Sequence, residues 1–136
     1  MGRFFGTDGF RGEAGSVLTA EHAYKVGRYL GWYHASKIKD QGQNSGSRSR
    51  IVIGEDTRRS SGMLENALAA GITASGADAY LMHVTTTPSV SYITKSMGFD
   101  CGVMISASHN PYYDNGLKVI NGDGSKLSDD QIAEIE

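Results

Sequence analysis

Short apolar runs that stop at glycine or polar residues alternate with segments of helical apolar spacing along this chain. That alternation restricts the fold more than any single motif. "IVIG" at 51–54, "ADAYLMHV" at 77–84, "CGVMIS" at 101–106 and "LKVI" at 117–120 read as strands. Between them lie helical stripes with start signals. Thr19 caps Ala23, Val26, Leu30 and Tyr33; Ser60 or Ser61 caps Leu64, Leu68 and Ile72. Thr87 with Pro88 at the first helical position precedes Val90, Ile93 and Met97, and Gly98 ends that segment. "NGDG" at 121–124 is a turn, and Ser128 with Gln131 makes a capping box ahead of Ile132 and Ile135. The opening "GRFFGTDGFRGEAG" reads as a short aromatic strand followed by a glycine-rich loop, and "KDQGQNSGSRSR" at 39–50 as a polar surface loop. Strand–helix alternation of this kind predicts a layered α/β domain with a largely parallel sheet.

A length of 136 residues is one domain's worth. The 18 glycines are about twice the usual share of roughly 7%, and their clustering at segment ends implies many tight turns. A net charge of −2 with scattered basic residues argues against a general nucleic-acid partner. Cys101 is the single cysteine, so an intrachain disulfide framework is excluded and a reducing compartment is expected. No apolar stretch approaches 18 residues and no leader pattern opens the chain, so the expected setting is cytoplasmic, with no membrane partner. The sequence stops about two turns into a newly capped helix, which reads as a boundary inside a longer chain.

"SASHNP" at 106–111 leaves an apolar strand and exposes a hydroxyl, an imidazole and a carboxamide side by side. In an open α/β sheet, ligands bind beyond the carboxyl ends of the parallel strands. Adjacent Ser108 and His109 point apart in an extended loop, which disfavours a hydrolase nucleophile–base pair. Two readings of the loop remain: a capped turn, or a serine that carries a phosphoryl group. The second needs cationic and hydrogen-bonding neighbours around a charge near −2. His109, Asn110 and Lys118 stand within ten residues, and "GTDGFRG" can bring Arg11 on a flexible glycine scaffold. "GEDTRRSSG" at 54–62 follows a strand but lacks the phosphate-loop pattern, and Asp56 with Arg58 reads as an ion pair that fixes the loop. His22, His34 and His83 have no metal-ligand spacing. "TTTP" at 85–88 reads chiefly as a helix cap, and Tyr112 and Tyr113 either pack on the serine loop or flank a sugar.

Four stretches together resemble the α-D-phosphohexomutase superfamily: "FGTDGFRG" at 5–12, "GEDTRRSS" at 54–61, "TTTP" at 85–88 and "GVMISASHNPYYDNGLK" at 102–118. The resemblance runs over essentially the whole chain. It implies a three-layer α/β/α domain with a mainly parallel mixed sheet, residues 1–136 being the first of four domains. It also implies that Ser108 is phosphorylated in the active enzyme and passes its phosphoryl group to the free hydroxyl of a hexose monophosphate. The bisphosphate then turns over and returns its other phosphate to the serine. A magnesium ion (Mg2+) would sit on the phosphoserine, its carboxylate ligands coming from an Asp-x-Asp-x-Asp loop of domain II. This sequence holds no such loop, so residues 1–136 by themselves are expected to be inactive.

Carried over position by position, the resemblance makes Ser108 the carrier. His109 and Lys118 assist proton transfer and charge balance, Arg11 supports the phosphoserine, and Asn110 keeps the loop's shape. Glu55 is a departure, since relatives commonly place a basic residue there, and the 39–50 stretch looks like a local elaboration. "FGTDG" and the form "SASHNP" match the branch that interconverts glucosamine 6-phosphate and glucosamine 1-phosphate, so the expected partners are a hexosamine phosphate and the remaining domains. The alternatives are a glucose or mannose phosphate substrate, or a catalytically silent phosphate-binding module.

Overall fold

The computed structural model describes Phe5, residues 9–40 and residues 48–135. The first part of the aromatic opening and most of the 39–50 stretch therefore lie outside the described residues. Elements follow in the order β1 (Phe10–Glu13), α1 (Ala20–Asp40), β2 (Arg50–Glu55), α2 (Ser61–Ala74), β3 (Asp78–Val84), α3 (Thr87–Ser96), β4 (Cys101–Ile105), β5 (Asp114–Asn121) and α4 (Asp129–Ile135). No helix among the described residues is long and apolar enough to cross a membrane.

The five strands form one sheet in the order β1-β5-β4-β2-β3. β2 runs parallel to both β3 and β4, while β5 is antiparallel to β4 and to β1. Only β5 is reversed, so the sheet is mixed and mainly parallel, as the sequence implies. Each central strand sends alternate residues to two cores. Ile51, Ile53, Val103 and Ile105 join Leu64, Leu68, Ile72 and Leu30 under α1 and α2, with Ile132 of α4. Val52, Met104 and Ile120 pack with Val90 of α3 on the opposite face. This is why the strands read as unbroken apolar runs: both faces are covered, and each buried aliphatic side chain contributes about 1.5–3 kcal/mol. Helices α1 and α2 meet through Gly27 and Gly71. A Cβ at Gly27 would run into the Leu68 carbonyl oxygen, and one at Gly71 into that of Tyr24.

Three local expectations change. Arg11 lies on β1, paired with Gly116 of β5, and not on a flexible glycine loop. The exposed edge of β5 offers unpaired backbone groups, and pairing with residues 10–13 satisfies them despite the glycine content. Thr86 caps α3, its hydroxyl accepting from the Ser89 amide at 3.3 Å, so the cap is one residue earlier than Thr87. Ser60 occupies the cap position of α2 without a side-chain cap bond. Its hydroxyl instead accepts from the Asn115 side-chain carboxamide at 2.8 Å, and Ser61 donates to Asp56 at 3.0 Å. Thr19 and the Ser128–Gln131 box cap their helices as expected.

Candidate functional site

β4 ends at Ile105 among buried residues, and the chain turns out of the sheet after Ser106, at the carboxyl ends of the parallel strands. Ser106 still belongs to the sheet, its amide donating to the Gly116 carbonyl at 3.0 Å. Ser108 then adopts a left-handed backbone (φ 49°) and is exposed. A non-glycine residue there costs about 1–2 kcal/mol, so something must hold it. The Ser108 amide donates to the Ser106 hydroxyl at 3.1 Å, and the Asn110 amide to the Ala107 carbonyl at 2.9 Å. The Asn110 carboxamide donates to Asp114 at 3.1 Å, closing the loop on itself.

The main brace comes from Arg58, fifty residues away in sequence. Its Nη2 donates to the Ser108 carbonyl at 2.8 Å. Its Nη1 reaches the carbonyls of Asn110 (3.2 Å), Pro111 (2.7 Å) and Asp114 (3.2 Å). Nε is held by Asp56 at 2.9 Å in a pair whose side chains are largely buried. Asp56 also accepts from the Arg58 amide at 3.1 Å, and its own amide donates to the Ile105 carbonyl at 3.0 Å. The loop-fixing pair expected from the sequence is present, but the loop it fixes is chiefly the serine loop. Nothing in "GEDTRRSSG" signals that reach, because the acceptors are backbone carbonyls that any sequence would carry.

Burial pushes the Asp56 carboxyl up, but hydrogen bonds from the Arg58 amide and guanidinium, Ser106 and Ser61 outweigh it and hold the group below the usual carboxylate range. A depressed folded-state pKa means stability that is complete above the ordinary value near 3.9 and is lost as pH falls through the lower folded value. Amide protection at residues 107–114, corrected for the intrinsic pH dependence of exchange, is therefore expected to fall in that acid window. Asp56→Asn, which lacks the carboxylate at every pH, should show low protection throughout and no pH step. A step of equal size in the Asn variant would assign it to another group.

Of the residues singled out in the sequence, Arg11 and Ser108 are brought together. Arg11 Nη2 lies 3.5 Å from Ser108 Oγ, a long contact, while its Nε is buried with no hydrogen-bond partner. Gly116 makes room for this arm: a Cβ there would lie 2.6 Å from the Ser106 carbonyl oxygen and 3.0 Å from Arg11 Cγ. His109 is exposed beside Ser108, and Lys118 sits on β5 opposite Met104, near the same end of the sheet. No hydrogen bond among the described residues joins either of them to Ser108. Tyr112 and Tyr113 pack edge to face on the loop's outer side, both exposed. The hydroxyl of Thr86 in "TTTP" is spent on the α3 cap and on Ser89.

Sequence spacing also missed two groupings. Buried Asn115 links the two halves of the site through Ser60 and Ser61 and donates nothing to solvent. Glu55, Glu65 and His83, from β2, α2 and β3, bring ligand-type atoms within 4.8 Å of one another.

Over residues 2–136 the chain matches the α/β/α domain I of phosphoglucomutase/phosphomannomutase. It belongs to that family. Among curated relatives of this family, the phosphoglucosamine mutase of Lachnospira eligens is 62% identical over the whole chain, and that of Lachnoclostridium phytofermentans 64%. The Bacillus subtilis phosphoglucosamine mutase is 54% identical. The chain spans 28–29% of the length of these relatives. Among solved structures, a phosphoglucomutase/phosphomannomutase family protein from Burkholderia thailandensis superposes with a TM-score of 0.75 at 30% identity, over 97% of this chain and 28% of that one. A Thermus thermophilus chain gives a TM-score of 0.80 at 26% identity, over 96% and 28%. The phosphohexomutase fold expected from the motifs is thus the fold observed.

Proposed function

We propose that this chain is the phosphoserine-bearing first domain of a mutase that interconverts glucosamine 6-phosphate and glucosamine 1-phosphate. The observation that carries the reading is Ser108 itself: an exposed hydroxyl on a left-handed backbone, with an arginine beside it whose Nε lacks an acceptor. A phosphate on Oγ would bring strong acceptor oxygens to that guanidinium. Identity of 62–64% to phosphoglucosamine mutases favours the amino sugar over glucose or mannose phosphate.

In this reading the sugar hydroxyl attacks phosphorus, the P–Oγ bond breaks, and the electron pair returns to Ser108. Exposed His109 takes the proton from the attacking hydroxyl, the Lys118 ammonium gives one to the departing Ser108 Oγ, and Arg11 offsets the spread charge of the transferring group. The reverse transfer from the other end of the bisphosphate restores the phosphoserine. Positioning and electrostatics dominate such a step, so a loop held by Arg58 before substrate arrives is suited to it. Magnesium would add Lewis-acid stabilisation to the phosphoryl oxygens. The serine loop does not hold it unaided: the carboxylates at its base, Asp56 of the β2–α2 connection and Asp114, are engaged with Arg58, Ser61 and Asn110. Among the described residues only oxygens on phosphorylated Ser108 would reach the ion. The remaining ligands and the sugar contacts belong to the further domains proposed, so residues 1–136 alone would not turn over. A cytoplasmic setting fits a sugar-phosphate substrate and a single buried thiol.

Phosphopeptide mapping of the full-length protein tests this directly. Phosphate is expected on Ser108 in the peptide spanning 106–118. If none appears, even after incubation with a hexosamine bisphosphate and magnesium, the carrier role is lost and a silent binding module takes its place.

A further inference from the structure

Glu55 is the last residue of β2, Glu65 lies in the second turn of α2, and His83 comes near the end of β3. Three elements distant in sequence thus converge on one point. Glu65 is 5% exposed, and its Oε1 is 3.3 Å from His83 Nδ1. The Oε2 atoms of both Glu65 and Glu55 are buried with no hydrogen-bond partner. A buried carboxylate oxygen without a donor is destabilising, and two in one place repel as well. Even a protonated His83 offsets only one of two negative charges. The β2–β3 register shifts between Ile53 and Gly54, and His83 takes a left-handed backbone (φ 59°) there, the bulge re-aiming one side chain. His83 is itself 69% exposed, which leaves the cluster open to solvent on one side.

We propose that Glu55, Glu65 and His83 bind one divalent transition-metal ion of the zinc class, at a site separate from the serine loop. One imidazole nitrogen and two carboxylate oxygens are a donor set for a borderline ion, and the histidine disfavours magnesium. Tetrahedral bonds of about 2.0–2.2 Å place donors about 3.3–3.6 Å apart, so atoms lying within 4.8 Å of one another close on the ion by side-chain movements of up to about 1.5 Å. Two carboxylates match the charge of the ion, and the orphaned Oε2 atoms gain a partner. The open side leaves room for a water as fourth ligand. Glu55 immediately precedes Asp56, so the ion would pin the strand end from which the Arg58 brace springs.

The test is zinc(II) titrated calorimetrically into chelator-treated protein, with His83→Asn and Glu55→Gln alongside. Asparagine tolerates a left-handed backbone, and glutamine keeps volume while removing a like charge, so both variants should fold, as unfolding without metal will check. One equivalent is expected to bind, at least tenfold weaker in each variant, with a zinc-dependent rise in Tm confined to the unaltered protein. In the unaltered protein the imidazole resonances of His83 should shift on zinc addition, and those of His22, His34 and His109 should not. Absence of stoichiometric binding, binding indifferent to both substitutions, or a shift at another histidine in place of His83 would overturn the site.

Discussion

Ser108→Ala is expected to reduce conversion of glucosamine 6-phosphate by the full-length enzyme at least a thousandfold, the scale on which removal of a covalent carrier acts (roughly 10³ or more). The substitution deletes one oxygen. It leaves the hydrogen bond from the Ser108 amide to the Ser106 hydroxyl and the Arg58 contacts in place, since at residue 108 these use backbone atoms. Loss of activity with unchanged Tm would therefore locate the effect in chemistry. Ser108→Gly supplies the control. It also removes the hydroxyl, but it relieves the left-handed backbone (φ 49°), so it should be equally inactive and more stable than the alanine variant by about 1 kcal/mol. Near-normal turnover by either variant would dismiss Ser108 as the phosphoryl carrier.

The largest effect on stability is expected at Arg58. Alanine there removes the guanidinium from four carbonyl oxygens, of which Pro111 keeps the Asp114 amide, and leaves Asp56 as a poorly compensated, largely buried carboxylate. Breaking a buried pair from one side costs about 3–5 kcal/mol. Arg58→Lys keeps the charge but presents one ammonium where a planar fork spans two directions, so it should recover less than half of that loss. Denaturant unfolding of the three proteins measures the cost, and amide exchange at 107–114 shows whether the loop opens first. A loss below about 1 kcal/mol in the alanine variant, the range of an exposed pair, would mean the guanidinium is not the brace.

Much of this architecture is legible in the amino-acid order, for a physical reason. β2 and β4 are covered on both faces, so "IVIG" and "CGVMI" carry unbroken apolar runs, while Leu64, Leu68 and Ile72 mark a helix with one buried stripe. The serine loop was legible too, because "SASHNPYYDNG" is a specific motif on the end of a strand. What resisted reading depends on distance. β1 forms because β5 offers it a partner, and no local propensity in "FRGE" announces that. Arg58 acts on carbonyls fifty residues away, which leave no trace in side-chain identity. Glu55, Glu65 and His83 arise from three elements, so a search for ligand spacing within one segment passes over them. Ser60 and Ser61 carry a cap signature, yet Asn115 and Asp56 take their hydroxyls.

The pairing of β1 with β5 also sets an order of events during synthesis. Phe10 is matched with Leu117 and Glu13 with Asp114, so the first strand meets its partner about a hundred residues later. At roughly 5–20 residues per second, residues 10–13 wait about 5–20 s after they are made before that partner has been polymerised. Helix α1, α2 and the parallel strands β2, β3 and β4 are all translated in the meantime. Arg11 consequently reaches Ser108 as one of the last steps of assembly, and the anion-seeking guanidinium is delivered to a serine whose loop Arg58 can already hold. A nascent chain therefore gains the Arg11–Ser108 contact only once β1 and β5 have paired.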